Sequence, residues 1–177
     1  MTGPRRLLRS PVAQFLATGL LLLVVLLVVT GVLSGRATRR EALSDARAST
    51  DVLAHSVAEP AVPRGLVSGD PGAVDRYDRQ MLDRLLVGEV RRIKIWARDG
   101  TIIYSDEARL IGSTFDLGPE ETRIIDHGGS DAEVSDLSEP ENRYEEPGRD
   151  LVEVYTRIVS PEGEPLLFEA YYAADDI

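Results

Sequence analysis

The stretch that decides the fold runs from Val90 to Ser105 and reads V-R-R-I-K-I-W-A-R-D-G-T-I-I-Y-S. Its first half alternates two sets of side chains, as a β-strand does: one face would carry Ile93, Ile95 and Ala97, and the other Arg92, Lys94 and Trp96. Asp99-Gly100 is a hairpin turn signal, and residues 101–105 supply the return strand. This stretch therefore predicts an antiparallel hairpin with one aliphatic face and one cationic, aromatic face.

More strands and one helix are predicted downstream of this hairpin. Residues 151–159 read L-V-E-V-Y-T-R-I-V and form one strand, and residues 166–172 form another after a Pro-Glu-Gly-Glu-Pro turn. A short strand is expected around Val134 as a fifth member of the sheet. Residues 119–127 predict a short helix that begins at a proline and ends at a Gly-Gly pair.

Two helices are predicted upstream of the hairpin. The first has a coiled-coil stripe at spacings of three and four, formed by Leu43, Ala46, Thr50, Leu53 and Val57. Pro60 and Pro63 should end it. The second should begin with Asp70 as the cap and end at Gly88. Helices followed by a mostly antiparallel sheet predict an α+β fold with the helices packed on the sheet.

The charges divide the chain into a basic and an acidic part. Overall there are 20 basic and 30 acidic residues in 177, but residues 1–40 contain six arginines and no acid. This length suits one ordinary domain and excludes a multidomain enzyme. The acidic balance of the remainder argues against a nucleic-acid partner, because binding to phosphates needs Lys and Arg.

A membrane anchor is predicted inside the basic part. Residues 12–33 are uncharged, and 17 of these 22 residues are apolar, which is long enough to cross a bilayer. A cleaved signal peptide is the alternative, but the run is too long and the one candidate cleavage site contains Arg36. The amino-terminal amine tips a tied arginine count towards a cytoplasmic N-terminus. We expect a cytoplasmic tail (1–11), a lipid-embedded helix (12–33), a membrane-proximal helix (34–60) and an extracytoplasmic domain (61–177).

Enzyme chemistry finds little support in the sequence. There is no cysteine, and no Walker, dinucleotide or H-E-x-x-H motif. His55 and His127 lie 72 residues apart, which excludes a multi-histidine metal site. His55 has the spacing to Pro60 of a phospho-accepting histidine box, but its other positions do not match, so we interpret the spacing as coincidence. We expect no catalytic residue, no metal ligand set and no cofactor.

Two groups of residues could bind a ligand. Trp96, Tyr104 and Tyr155 could form the aromatic wall of a pocket, or simply pack in the core. Arg92 and Lys94 beside Trp96 would suit a small carboxylate, whereas the alternative is a solvated outer face of the sheet. The second group is acidic and could bind divalent cations, although an exposed solvated loop is the favoured interpretation: Asp131, Glu133, Asp136, Glu139, Glu141, Glu145, Glu146 and Asp150.

Residues 92–112, R-I-K-I-W-A-R-D-G-T-I-I-Y-S-D-E-A-R-L-I-G, resemble the central hairpin of extracytoplasmic PAS-like sensor domains of the single Cache, citrate-sensor type. The matching features are the strand ending in Asp99-Gly100, the return strand ending in Tyr104-Ser105 and the closing Ile111-Gly112. The resemblance implies a PAS-like sheet of about five strands. It also implies a ligand on the hairpin face, so the candidate binding residues are Arg92, Lys94, Trp96, Tyr104, Ser105 and Tyr155.

Such domains belong to bacterial membrane sensor histidine kinases of two-component systems. The resemblance therefore implies a signal-sensing region without a kinase core of its own, because the expected second membrane helix and kinase do not follow residue 177. The heptad spacing of the stripe from Leu43 to Val57 predicts a homodimer through the membrane-proximal helix, and the candidate residues predict a small carboxylate or a cation as ligand. One lysine against 19 arginines is typical of a GC-rich genome such as an actinobacterial one. The alternative function is a membrane-anchored protein-interaction module with no small-molecule ligand.

Overall fold

The computed structural model describes residues 11–85, 90–145 and 151–173 of the chain. The chain divides into two compact units, Met1–Glu41 and Ala42–Ile177. The longest helix, α1 (Pro11–Leu53), contributes residues to both units. The predicted helix end at Gly88, the acids Glu146 and Asp150, and most of the predicted cytoplasmic tail lie outside the described residues.

The first unit contains the apolar part of α1. Residues Gln14–Gly31 form a helical segment that is long and apolar enough to cross a membrane, and none of this segment is buried. Its leucines and valines are about half exposed or more, which is the pattern expected of a helix whose apolar side chains face lipid. This segment coincides with the predicted anchor.

The second unit contains the remaining helices, and prolines explain several of their ends. After Leu53 the chain makes one π-helical turn, Ala54–Ala58, and then the short helix α2 (Glu59–Ala61) before Pro63. Helix α3 (Pro71–Leu85) begins as predicted, with the Asp70 carboxylate accepting from the Gly72 amide at 3.2 Å. Helix α4 (Pro119–His127) has the predicted bounds and ends at Gly128.

Five antiparallel strands form one sheet. They are β1 (Val90–Trp96), β2 (Ile102–Ser105), β3 (Ser130–Ser135), β4 (Leu151–Val159) and β5 (Pro165–Ala173). Their order across the sheet is β2-β1-β5-β4-β3. This arrangement confirms the predicted α+β fold and the predicted strand near Val134, and it is consistent with a PAS-like fold.

One face of the sheet packs against the helices as the main core. The residues that β1 contributes to it are aliphatic, as the alternation predicted, while other strands add Tyr104, Phe168 and Tyr172, and helix α3 adds Tyr77 and Met81. The stripe on the end of α1 also packs against this core, and the buried Thr50 hydroxyl lies 2.7 Å from the Tyr172 hydroxyl. The stripe therefore serves the fold of one chain, and the homodimer stays a prediction.

The other face of the sheet is covered by α4 and by the chain after β3. A second apolar cluster lies here, made by Trp96, Ile102, Leu110, Ile124, Ile125, Tyr155 and Leu167. Lys94 is fully buried and Trp96 is 3% exposed, so the solvated-face interpretation of these residues is wrong. It failed because strand alternation shows which side chains share a face and cannot show what covers that face.

The interpretation of residues 130–150 as mainly an exposed loop holds for part of this segment, but it is wrong for residues 130–135 and for Asn142. Residues 130–135 form β3, which pairs along its whole length with β4. A 3-10 turn, Pro140–Asn142, follows and buries the Asn142 side chain. The acids of this segment therefore include members of the sheet and neighbours of buried groups.

Candidate ligand-binding site

Two rows of polar side chains cross the covered face of the sheet. Strand register places Lys94 opposite both Ser105 and Glu169, and Glu169 opposite Tyr155. The adjacent row places Arg92 opposite Tyr171, Tyr171 opposite Glu153, and Glu153 opposite Glu133. Residues directly opposite each other share a face, so the sheet itself brings these groups together.

Lys94 lies at the centre of the buried polar network. Its ammonium donates to the Asn142 side-chain carbonyl at 2.9 Å and to the Tyr171 hydroxyl at 2.6 Å, and it lies 3.7 Å from a Glu169 oxygen. It also lies 4.6 Å from the centre of the Tyr171 ring, within the range of a cation–π contact. The charge of Lys94 is therefore already satisfied by the protein.

Glu169 is the counter-ion of Lys94. One of its oxygens accepts from the Trp96 indole N–H at 2.6 Å and the other from the Tyr171 hydroxyl at 2.5 Å. Burial raises the pKa of Glu169 to about 7, even though Lys94 and these two donors act in the opposite direction. The proximity of Glu153 adds to the rise.

Glu153 is a second buried carboxylate, 3% exposed. One oxygen accepts from the Asn142 amide at 3.1 Å and the other from the Tyr155 hydroxyl at 2.6 Å. Among the residues that the structure describes, no Arg, Lys or His forms an ion pair with it. Asn142 thus joins the two halves of the network, since its carbonyl accepts from Lys94 and its amide donates to Glu153.

A cavity of about 520 Å³ opens above this network. Glu153 and Glu169 line it together with Trp96, Tyr155 and Leu167 from the sheet. The opposite wall comes from the start of α4, the segment before it and the chain after β3. The volume lies within the range of pockets that hold small molecules, roughly 300–1,000 Å³.

The rim of the cavity is acidic. Six further carboxylates line it: Asp116, Glu121, Glu133, Asp136, Glu139 and Glu141. Burial, together with neighbouring carboxylates, raises the pKa of Glu133, and burial raises the pKa of Glu141. Within the described residues no three His, Cys, Asp or Glu side chains are grouped so as to hold a metal ion.

Arg92 forms two ion pairs that hold the loop residue Glu145 and the hairpin residue Asp106 close to β1. Its guanidinium donates to Glu145 at 2.5 Å and to Asp106 at 2.9 Å, and all three side chains are mostly buried. Asp106 also accepts from the Ile93 amide, while its burial raises its pKa. Arg92 is thus committed to two carboxylates of the protein and does not line the cavity.

The predicted binding residues fall into two groups. Trp96 and Tyr155 line the cavity, whereas Arg92, Lys94, Tyr104 and Ser105 do not. Tyr104 pairs with Ile95 and therefore points to the main core, where its ring packs edge-on to Tyr77 at 4.7 Å. Ser105 shares the face of Lys94, but its hydroxyl accepts from the Glu107 amide. The carboxylate ligand stays a prediction, although the two cations that suggested it are already paired.

Sequence reasoning missed four residues of the network: Asn142, Glu153, Glu169 and Tyr171. A signal for three of them was present, because Glu-x-Tyr occurs in β4 and again in β5, inside strands that are mostly apolar. In the antiparallel register each Glu of one motif lies opposite the Tyr of the other. Asn142 had no such signal, since nothing local shows which loop residue will close over a sheet.

Comparisons with known proteins give a structural likeness but no family. No protein-family model matches the chain, and no curated protein matches it. Among solved structures, the crystal structure of the E. coli DcuS sensor domain is similar at a TM-score of 0.32 and 13% sequence identity. The likeness covers 62% of this chain and 65% of that chain, less than two thirds of its length. Because the TM-score is this low, the likeness carries no functional argument.

The buried Glu169 predicts a pH dependence of stability. Its pKa in the folded protein, about 7, exceeds its ordinary value of 4.5, so the folded state holds the proton more tightly. The free energy of unfolding should therefore fall by roughly 3 kcal/mol as the pH rises through this window. Denaturant unfolding between pH 5 and 8, followed by the fluorescence of Trp96, measures it.

Glu169→Gln is the control for this pH dependence. Glutamine keeps the shape of the side chain but cannot ionise, so the difference between the two pH profiles reports Glu169 together with any group coupled to it. We expect the variant to lose less stability than the wild type between pH 5 and 8. Parallel profiles would show that Glu169 keeps its ordinary pKa in the folded protein.

Proposed function

We propose that this protein is the signal-sensing region of a membrane-anchored receptor of the two-component type. In this proposal α1 crosses the membrane with its N-terminus in the cytoplasm, and the acidic domain lies outside the cytoplasm. A small molecule binds in the cavity, and its binding changes the state of a kinase elsewhere in the receptor. The chain itself performs no catalysis in this scheme.

The cavity over the polar face of the sheet is the observation that carries this proposal. A domain whose only task is packing would fill a buried face with apolar side chains, since a buried polar network is costly unless every group is satisfied. Here Lys94, Glu153 and Glu169 are buried below an open volume of about 520 Å³. A concave volume with a few convergent polar groups is the general form of a small-molecule site.

Contacts between α1 and the strands of the site support the transmission of a signal. The Asp51 carboxylate of α1 accepts from the Thr156 hydroxyl of β4 at 2.7 Å and from the Ser130 hydroxyl of β3 at 3.1 Å. These two strands also carry Glu153 and Glu133 of the cavity. A ligand that shifts β3 and β4 would therefore act on α1 through Asp51, provided it binds the two states with different affinity.

A ligand screen tests the proposed function. The full chain in detergent is melted alone and with a mixed panel of amines, dicarboxylates, amino acids, sugars and divalent salts. A ligand at 100 times its Kd stabilises a folded protein by about 2.7 kcal/mol, which raises the Tm of a domain of this size by about 5–10 °C. We expect at least one compound to do this.

Trp96→Phe separates binding in the cavity from binding elsewhere. The variant keeps an aromatic ring but loses the indole N–H that donates a hydrogen bond to Glu169. It should therefore reduce the rise in Tm that a cavity ligand causes. If no compound of any class shifts the wild-type Tm, the sensor proposal fails and the protein-interaction alternative is favoured.

A further inference from the structure

We infer that the cavity binds a small organic cation, a molecule with a protonated amine or a quaternary ammonium group. This inference rests on the proposed sensory function and adds the chemical class of the ligand. It differs from the expectation of a carboxylate ligand that the hairpin sequence alone suggested.

An uncompensated buried charge is the first observation. The buried network below the cavity contains two carboxylates, Glu153 and Glu169, and one cation, Lys94. Lys94 lies 3.7 Å from Glu169, and among the described residues no second cation pairs with Glu153. A buried charge without a counter-ion is costly, so a cation entering the cavity would relieve an existing penalty.

The position of Glu153 shows where that cation would go. Glu153 is 3% exposed, lines the cavity and has no ion-pair partner in the described part of the chain. Across the strands it lies opposite Glu133, which also lines the cavity, and like charges in that position repel. A cation between Glu153 and Glu133 would turn this repulsion into two attractions.

The aromatic walls favour an organic cation over a metal ion. Trp96 and Tyr155 line the cavity beside the carboxylates, and aromatic rings attract amines and quaternary ammonium groups but are not ligands for hard metal ions. A volume of about 520 Å³ is large for a bare ion and suits a small molecule. The described carboxylates also lack the tight grouping that a metal ion needs.

The charge of the cavity disfavours an anionic ligand. Of the described residues, no Arg, Lys or His side chain lines the cavity, whereas eight carboxylates do. Lys94 and Arg92, the two cations that β1 places on this face, are paired with Glu169, Asp106 and Glu145. A dicarboxylate would therefore enter a strongly negative site with no free counter-charge.

Three probes of equal chain length and different charge test the inference. They are 1,4-diaminobutane, 1,4-butanediol and succinate, with tetramethylammonium and Mg²⁺ as additional probes. Each is titrated into the full chain in detergent at pH 7.5, and the Tm and the emission of Trp96, the single tryptophan, are recorded. We expect saturable changes with 1,4-diaminobutane or tetramethylammonium and none with the diol or succinate.

Charge-matched variants locate the binding. Glu153→Gln should weaken binding of the organic cation at least tenfold. Glu133→Gln, on the exposed side of the same pair, should weaken it about threefold and remains informative should the buried variant fold poorly. Glu164→Gln is the control, because it removes the same charge from an exposed turn outside the cavity and should leave the affinity unchanged.

The contrary outcomes separate this inference from the proposed function. Binding of succinate or Mg²⁺ without the organic cations overturns the cation but keeps a ligand-binding sensor. Binding of an organic cation that is insensitive to both cavity variants overturns the location. No response to either organic cation also overturns the inference, and only failure of the whole ligand panel removes the sensory function.

Discussion

Replacing Lys94 with methionine is expected to lower the free energy of unfolding by about 3–5 kcal/mol. Methionine keeps much of the volume of the fully buried side chain but removes its charge and its donors to Asn142 and Tyr171. Glu169 and Glu153 would then lie in the interior with no buried cation beside them in the described structure. Denaturant unfolding of the full chain in detergent, followed by Trp96 emission, measures the loss.

Two further variants make this prediction specific. Arg98→Met removes a cation of the same hairpin, but Arg98 is mostly exposed where it pairs with Asp126, so the loss of stability should be much smaller than for Lys94→Met. The double variant Lys94→Met with Glu169→Gln should recover part of the stability, because it removes both members of the buried pair. A cost for Lys94→Met no greater than that for Arg98→Met would show that the network is not energetically coupled.

Replacing Gly100 with alanine is expected to destabilise the domain by about 2–5 kcal/mol. Gly100 has φ +83° in the turn after β1, where an L-residue is strained. A Cβ there would also lie far inside the contact distance of the Phe115 carbonyl oxygen, which belongs to backbone and cannot rotate away. The Phe115 amide donates to the Gly100 carbonyl at 3.0 Å, so the two segments cannot simply separate.

Gly163→Ala is the matched control for this substitution. Gly163 has φ +87° in the turn between β4 and β5, but a Cβ there meets nothing within 4 Å. This variant should cost only the conformational penalty, about 1–2 kcal/mol. Equal losses in both variants, measured by the same unfolding experiment, would contradict the close approach of residues 100 and 115.

The elements that local sequence could predict are those with a clear period or clear end signals. Helix α4 has the predicted bounds because Pro119 and Gly128 mark both of its ends. Strand β4 was predicted residue for residue because it is long, β-branched and followed by a turn. Strand β3 is less apolar, so its place in the sheet depended on pairing with β4, which local sequence does not encode.

The candidate site was predicted only in part, for a reason of register. Alternation along β1 placed Arg92, Lys94 and Trp96 on one face correctly. It could not show that Tyr104 pairs with Ile95 and so turns away from them. The sequence predicted a cationic site, but the cavity is acidic, because Glu145 and Glu169, which lie far along the chain from β1, pair with Arg92 and Lys94.

The burial of Lys94 has a practical consequence for chemical labelling. It is the single lysine of this chain and its side chain is fully buried, so amine-directed reagents have no ε-amino group to attack in the folded domain. An acylating dye or surface linker should therefore react with the N-terminal amine in preference to the ε-amine of Lys94. The rate at which Lys94 is modified, measured by mass spectrometry of peptides, then reports how often the domain opens.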